Sequence, residues 1–547
     1  MDPIRIAGFL GANQALHPRL LPDAVGAVSL NQKPGKGDLR PWRLPLAVAT
    51  APGGRKTIYR FNKDVASDVN YWFTWTTIVH AVRGFIGEDT TERTYFTGSG
   101  APKVTDNILG ISGEPYPTAW RDLGVPAPIT APILAETTPG TGDDEERFYV
   151  YTYVTDRGEE SAPSPVSAVF TCKPGAIIAI TNLSAVPAGS YGIATIRIYR
   201  TQSGTSGNAE FFFLREIPAA LLSTDDARAL GVDTLPSTYW AMPPADLRNL
   251  TPLWNGMMAG ITGKAVRYCE PYKPYAWPVA YETLCTDTPV ALATFGKNLL
   301  ILTTGAPRVV AGSAPEAMDD EPVPFIAACV SAPGVVSFKH GACWPTADGL
   351  AYAGLSTAPR LLTDGLMLRE DWQAINPGTI VAGQYAGRYM GFYDSGAGLK
   401  GFMIDPLDPE GIYFFDAGYS AVYFDELQEA LYVLDGLAIR KWDAGPTNMT
   451  TTFRSKVFRM PEPSNPAVAE VIADAYPVTF KLWASRTDPL TQARSMVLRK
   501  TKTVQNNDTF VLPSGYLSDE VQIEVSTSVG GVTGVVVAGS IDDIKQT

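Results

Sequence analysis

The chain carries few residues that could do chemistry, and their spacing is as informative as their number. Three histidines, His17, His80 and His340, lie far apart, and none has a Ser, Cys or carboxylate partner in a recognisable local setting. No G-x-S-x-G, P-loop or G-x-G-x-x-G opening a helix is present, so acyl and phosphoryl transfer have no visible home. The clusters Asp143-Asp144-Glu145-Glu146 and Asp319-Asp320-Glu321 could in principle bind a cation or flank a sugar bond. Carboxylates adjacent on a loop rarely converge on one glycosidic oxygen, and neither cluster has EF-hand spacing, so both read as solvated loops. Five cysteines (172, 269, 285, 329 and 343) show neither C-x-x-C nor zinc spacing and read as reduced core residues. The expectation is no catalytic, cofactor or metal residue, and no enzyme.

One aromatic constellation remains, Arg267-Tyr268-Cys269-Glu270-Pro271-Tyr272-Lys273-Pro274-Tyr275-Ala276-Trp277-Pro278-Val279. Proline fixes its own φ and biases its predecessor away from helix, which predicts an extended, rigid segment. Tyr272, Tyr275 and Trp277 could stack on a sugar. Between prolines they read more naturally as buried anchors of a clamp pinning one part of a β scaffold to another, with Glu270, Pro271, Tyr272, Tyr275, Trp277 and Pro278 as its structural motif.

The elements that must hold this clamp are strands. Gly and Pro number 50 and 44 in 547 residues, aromatics reach 10%, and long helical periodicity is nearly absent. The segments 100–105, 305–310 and 357–362 share an Ala-Pro-basic-aliphatic core after a strand-like run, as one hairpin written three times. Pro307 and Pro359 lie 52 positions apart, near the period of four-stranded propeller blades. The predicted fold is all-β: a β-propeller with an inserted fibronectin III-like sandwich and a C-terminal β domain, preferred over a non-repetitive sandwich.

Five segments follow in order. Residues 1–45 form an arm, either disordered or laid across a larger body. The first part of the propeller occupies 46–125, its first blade opening at Ile58-Tyr59-Arg60-Phe61 and Tyr71-Trp72-Phe73-Thr74-Trp75. A linker and the inserted sandwich fill 126–245, the remainder of the propeller 246–450, and the C-terminal domain 451–547. No signal peptide opens the chain and no apolar run reaches a membrane helix, so a soluble protein without a membrane anchor is expected. The net charge of −12 argues against a free-standing DNA binder.

Taken in order, Ala259-Gly260-Ile261-Thr262-Gly263, Tyr268-Cys269-Glu270-Pro271-Tyr272 with Ala276-Trp277-Pro278, Leu302 to Pro307, and Asp348-Gly349-Leu350 resemble structural proteins of tailed bacteriophages. The nearest group is the tail nozzle, or tail-tube, proteins of short-tailed phages. Gly37-Asp38-Leu39-Arg40-Pro41-Trp42 and Ala475-Tyr476-Pro477-Val478-Thr479 fit the same group.

The resemblance implies a homo-oligomeric, hexameric ring beneath a tail adaptor ring, with tail fibres nearby, made in the host cytoplasm and built into the virion tail. Genomic DNA would pass without sequence-specific binding. Six copies at −12 each would repel phosphate within a Debye length of about 10 Å. The resemblance implies closure of the tail until ejection, and supplies no catalytic residue. The alternative is a propeller glycosidase or sugar-binding receptor protein acting on host polysaccharide. A general adhesion scaffold resting on the inserted sandwich is a third reading.

Overall fold

The computed structural model describes residues 2–64, 66–87, 89–202, 210–312, 314–323, 327–355, 358–487 and 494–545. Among them the chain is nearly all β, with short α-helices only at Arg369–Ala374 and Ile541–Lys545. It divides into two compact units, one formed by Phe61–Ile301 with Arg308–Pro322, the other by Met1–Arg60, Leu302–Pro307 and Val323–Thr547.

The first of these units is built on three four-stranded antiparallel sheets in simple sequence order. Sheet A is His80–Arg83, Thr94–Thr97, Lys103–Thr105 and Arg121–Asp122; sheet B is Arg248–Pro252, Met258–Thr262, Ala265–Tyr268 and Glu282–Leu284; sheet C is Pro289–Phe295, Asn298–Thr303, Arg308–Ala311 and Asp319–Pro322. The first strand of B lies against the first strands of both A and C, as in consecutive propeller blades. Asn249 joins all three: its amide meets His80 Nε2 at 3.0 Å, and its carbonyl oxygen accepts the Leu292 N–H at 2.8 Å. It does so from a left-handed backbone (φ 55°).

Between sheets A and B the chain makes a separate module over 126–245. Ile133–Thr138, Ile177–Thr181 and Thr224–Asp225 form one sheet; Tyr149–Thr155, Ile193–Thr201 and Phe211–Pro218 form another. Tyr149, Tyr151, Tyr153, Ile180, Ile196, Ile198 and Leu214 fill the space between them. This two-sheet packing is what a small sandwich requires. The two crossings of the module run side by side, because Gly124 (φ 95°) sits where a Cβ would lie 2.6 Å from Pro243 Cδ.

The other unit repeats the meander. Sheet D is Val336–Phe338, Gly341–Pro345, Leu350–Gly354 and Arg360–Leu361; sheet E is Val381–Tyr385, Arg388–Asp394, Leu399–Ile404 and Tyr413–Phe415; sheet F is Ala421–Asp425, Ala430–Asp435 and Ala438–Lys441, completed by Leu46–Thr50, which directly follows the N-terminal arm. The hairpin turn of sheet E puts Ala386 (φ 49°) and Gly387 (φ 75°) both in the left-handed region, as a type I′ turn demands.

The arm joins sheet E to the C-terminal part. Val28–Leu30 pairs parallel with Tyr413–Phe415 and antiparallel with Thr451–Ser464, so the blade continues through Ser518–Thr527, Val478–Thr487 and Arg494–Val504 as one nine-stranded sheet. A second sheet of Ile4–Ile6, Val532–Ala538, Val468–Ala473 and Phe510–Val511 covers it over a core that includes Phe9, Phe453, Phe480, Leu482, Val521, Ile523 and Val535.

Three expectations need correction. Thr57–Asp64 and Val69–Trp75 do not open the first blade; they form a two-stranded ladder, and the four-stranded sheet starts at His80. The Ala-Pro-basic hairpin recurs in equivalent places only twice: Lys103 and Arg308 each begin the third strand of their sheet, whereas Arg360 begins the fourth strand of sheet D. Thr357 of that third copy lies outside the described residues. The prolines of the clamp also do something other than extend the chain.

Candidate functional site

Pro271 and Pro274 each occupy the second position of a tight turn. Lys273 N–H donates to the Glu270 carbonyl at 3.0 Å, and Ala276 N–H donates to the Lys273 carbonyl at 3.0 Å. The restriction that proline places on its predecessor suits the first position of a turn as well as it suits an extended strand. Tyr272 follows Pro271 with φ 59°, a conformation usually left to Gly or Asn. The Glu270 N–H closes the loop on the Ala276 carbonyl at 2.8 Å. The motif is therefore a double turn linking the third and fourth strands of sheet B.

This folding gives the aromatics different fates. Trp277 is 2% exposed within the core of sheets A to C, and its indole N–H donates to the Pro274 carbonyl at 2.8 Å. Pro278 is buried beside it. Tyr275 packs against both that core and the core of the inserted module, and meets Trp240 edge-on at 5.8 Å. Burial, then the Glu159 charge, pushes its phenol pKa well up. Tyr272, by contrast, is 63% exposed, which corrects its assignment as a buried anchor. Its backbone N–H donates to the Gly256 carbonyl at 2.7 Å, and its ring lies where a Cβ on Gly256 would clash at 2.6 Å.

What the double turn grips is the root of the inserted module. Trp277 N–H donates to the Ala241 carbonyl at 2.8 Å, and Lys273 Nζ lies 5.2 Å from the Trp240 ring. The module's turn Asp156-Arg157-Gly158-Glu159-Glu160 docks on sheet A through reciprocal ion pairs. Arg121 Nη2 donates to Asp156 at 2.8 Å, Arg93 Nη1 reaches Glu159 at 3.3 Å, and Arg157 pairs with Asp106. The Arg121 hydrogen bond holds the Asp156 carboxyl below its ordinary range, while burial raises Glu159. Burial also raises Asp89 beside Arg93, but hydrogen bonds from Thr91 outweigh it and leave that carboxyl lowered. The partners of these ion pairs lie 35 to 66 positions apart in sequence, and no local signal points to them.

The chemistry-bearing residues do not come together. His17 and His340 are exposed, and burial pushes His80 down to about 4, so its imidazole is neutral and serves Asn249. Asp143, Asp144 and Glu146 are exposed, and Glu145 binds Arg147. All five cysteines are buried, and burial raises Cys269 and Cys329 to about 12, which keeps them as thiols. Among the described residues no group of three or more His, Cys, Asp or Glu could hold a metal ion. Nor, among them, is any helix long and apolar enough to cross a membrane.

No protein-family model matches the chain, and no curated protein sequence does. Solved structures match at low similarity. The extracellular domain of the putative one component system BT4673 from B. thetaiotaomicron aligns at 8% identity and TM-score 0.26, over 93% of this chain and 61% of that one. Apo AztD from Citrobacter koseri aligns at 13% and 0.27, over 71% and 99%. The gluconolactonase XC5397 from Xanthomonas campestris aligns at 10% and 0.22, over 74% and 99%. At these scores the likenesses carry no argument about what this chain does.

Proposed function

We propose that the chain is a structural component of a bacteriophage tail, a nozzle subunit whose blade-like sheets close into a propeller and whose copies form a ring around a DNA conduit. The single observation that supports this best is the stitching made by the N-terminal arm and the strand that follows it. Ile4–Ile6 pairs with Val532–Ala538, Val28–Leu30 bridges a blade strand and the C-terminal sandwich, and Leu46–Thr50 completes sheet F. Pulling any of these apart breaks a ladder of backbone hydrogen bonds, an arrangement suited to bearing load. The inserted module, fixed by the double turn and the ion pairs, presents a rigid surface for a neighbouring tail component and agrees with the family resemblance. Negative-stain imaging of the purified chain tests this: closed rings with a central opening support it, and single particles at all concentrations speak against it.

A second reading is a propeller protein that binds or cleaves surface polysaccharide. It draws on the ring of Tyr272, the most exposed of the clamp aromatics and so the best placed to stack on a sugar. Release of reducing ends from host capsule, lost in Tyr272→Ala, would establish it.

A further inference from the structure

The strand Arg494–Val504 ends the nine-stranded sheet: it pairs with Val478–Thr487 on one side and with no other strand among the described residues. Residues 475–507 carry six Lys or Arg and one Asp, a net of +5, so the rest of the −12 chain carries −17. Lys500 and Lys502 stand opposite Leu482 and Phe480, which belong to the sandwich core, so both point inward at the sheet's rim. Lys502 Nζ sits 4.6 Å from the Phe510 ring. Inward lysines on an edge repel an added neutral strand, because pairing would bury an uncompensated charge. A strand bringing carboxylates at alternate positions would be accepted.

The same chain owns such a strand. Asp319–Pro322 ends sheet C, pairing with Arg308–Ala311 on one side and with nothing on the other among the described residues. Asp319 and Glu321 share one face and are exposed, and neither has an ion-pair partner among those described. Asp320, on the opposite face, is held by Arg308 at 2.6 Å. Alternation by two matches Lys500 and Lys502 to Glu321 and Asp319 in an antiparallel register.

We propose that the Arg494–Val504 edge of one copy pairs with the Asp319–Pro322 edge of a second copy, Lys500 facing Glu321 and Lys502 facing Asp319. Because the two edges differ, the contact is head-to-tail: a joined pair keeps one free edge of each sign, and the series closes into a ring or continues. The proposal rests on the reading that copies of this chain assemble.

Sedimentation velocity on the full-length chain tests it with two charge-reversed variants, Lys500→Glu/Lys502→Glu and Asp319→Lys/Glu321→Lys. Each alone should associate roughly ten-fold or more weakly than the natural chain, while an equimolar mixture, in which acidic and basic edges again meet, should recover association. Folding is checked by circular dichroism, and recovery in the mixture itself requires folded partners. A milder pair, Lys500→Cys with Glu321→Cys, should form an intermolecular disulfide, the native cysteines being buried. Association of the natural chain unaffected by the reversals, or a mixture that stays dissociated, overturns the edge pairing and leaves the assembly reading standing. A natural chain that never associates overturns both.

Discussion

The backbone N–H of Trp277 and the carbonyl of Ala241, 2.8 Å apart, join the core of the blade-like sheets to the root of the inserted module. A residue buried for its size thus also sets where a second domain leaves the first. Trp277→Ala should cost about 3–5 kcal/mol from lost transfer energy and the cavity left behind. Thermal unfolding measures it, and hydrogen exchange at 240–247 should rise in the same variant.

Tyr272 holds a left-handed backbone at a cost of about 1–2 kcal/mol for a residue with a Cβ. Tyr272→Gly should therefore leave stability unchanged or raise it by about 1 kcal/mol, set against the lost ring contact at Gly256. A large loss in urea unfolding would mean that the exposed ring is an anchor after all.

Asn249 serves three strands from one strained position. In Asn249→Ala the Leu292 N–H loses its acceptor and His80 loses its partner, at about 1–3 kcal/mol for each buried group left unpaired. Asn249→Gly, relieved of the backbone strain, should lose less. Comparing the two by denaturant midpoint separates hydrogen bonding from φ.

The module's docking should respond to pH in two directions. Glu159 has a raised folded pKa, so its contribution favours the folded state at low pH and is lost as pH rises through that value. Asp156 and Asp89 are depressed, so theirs is present above the ordinary carboxylate pKa near 3.8 and lost as pH falls through the folded values. Stability should rise gently on mild acidification and fall below about pH 4. Glu159→Gln should remove the rise and Asp156→Asn should flatten the fall, read as urea midpoint against pH.

Because Gly124 touches Pro243, the two ends of the module can be joined by a short linker. A chain lacking 126–241 should keep the sheet A to C core folded by near-ultraviolet circular dichroism, with a lower melting temperature from the loss of the Ala241 contact.

How far the sequence carried these features depended on whether their cause was local. Strand-rich composition follows from residue types, and so does the burial of a tryptophan between prolines. Pro271 and Pro274 were legible as rigid but not as turn-forming, because proline at the second position of a turn and proline in an extended run leave the same mark; Tyr272 at φ 59° decides between them. The His80–Asn249–Leu292 relay and the Arg93, Arg121 and Arg157 ion pairs bring together residues from separate strands, and no spacing announces them. Val28–Leu30, three residues in a segment full of Gly and Pro, is a strand only because two other strands flank it.

Whether this chain is a tail component is tested most directly by immunogold imaging of virions with an antibody to the exposed segment 141–144. Label should be confined to the tail, in a ring of copies. Label on the capsid shell, or virions that lack the chain altogether, would contradict a tail role.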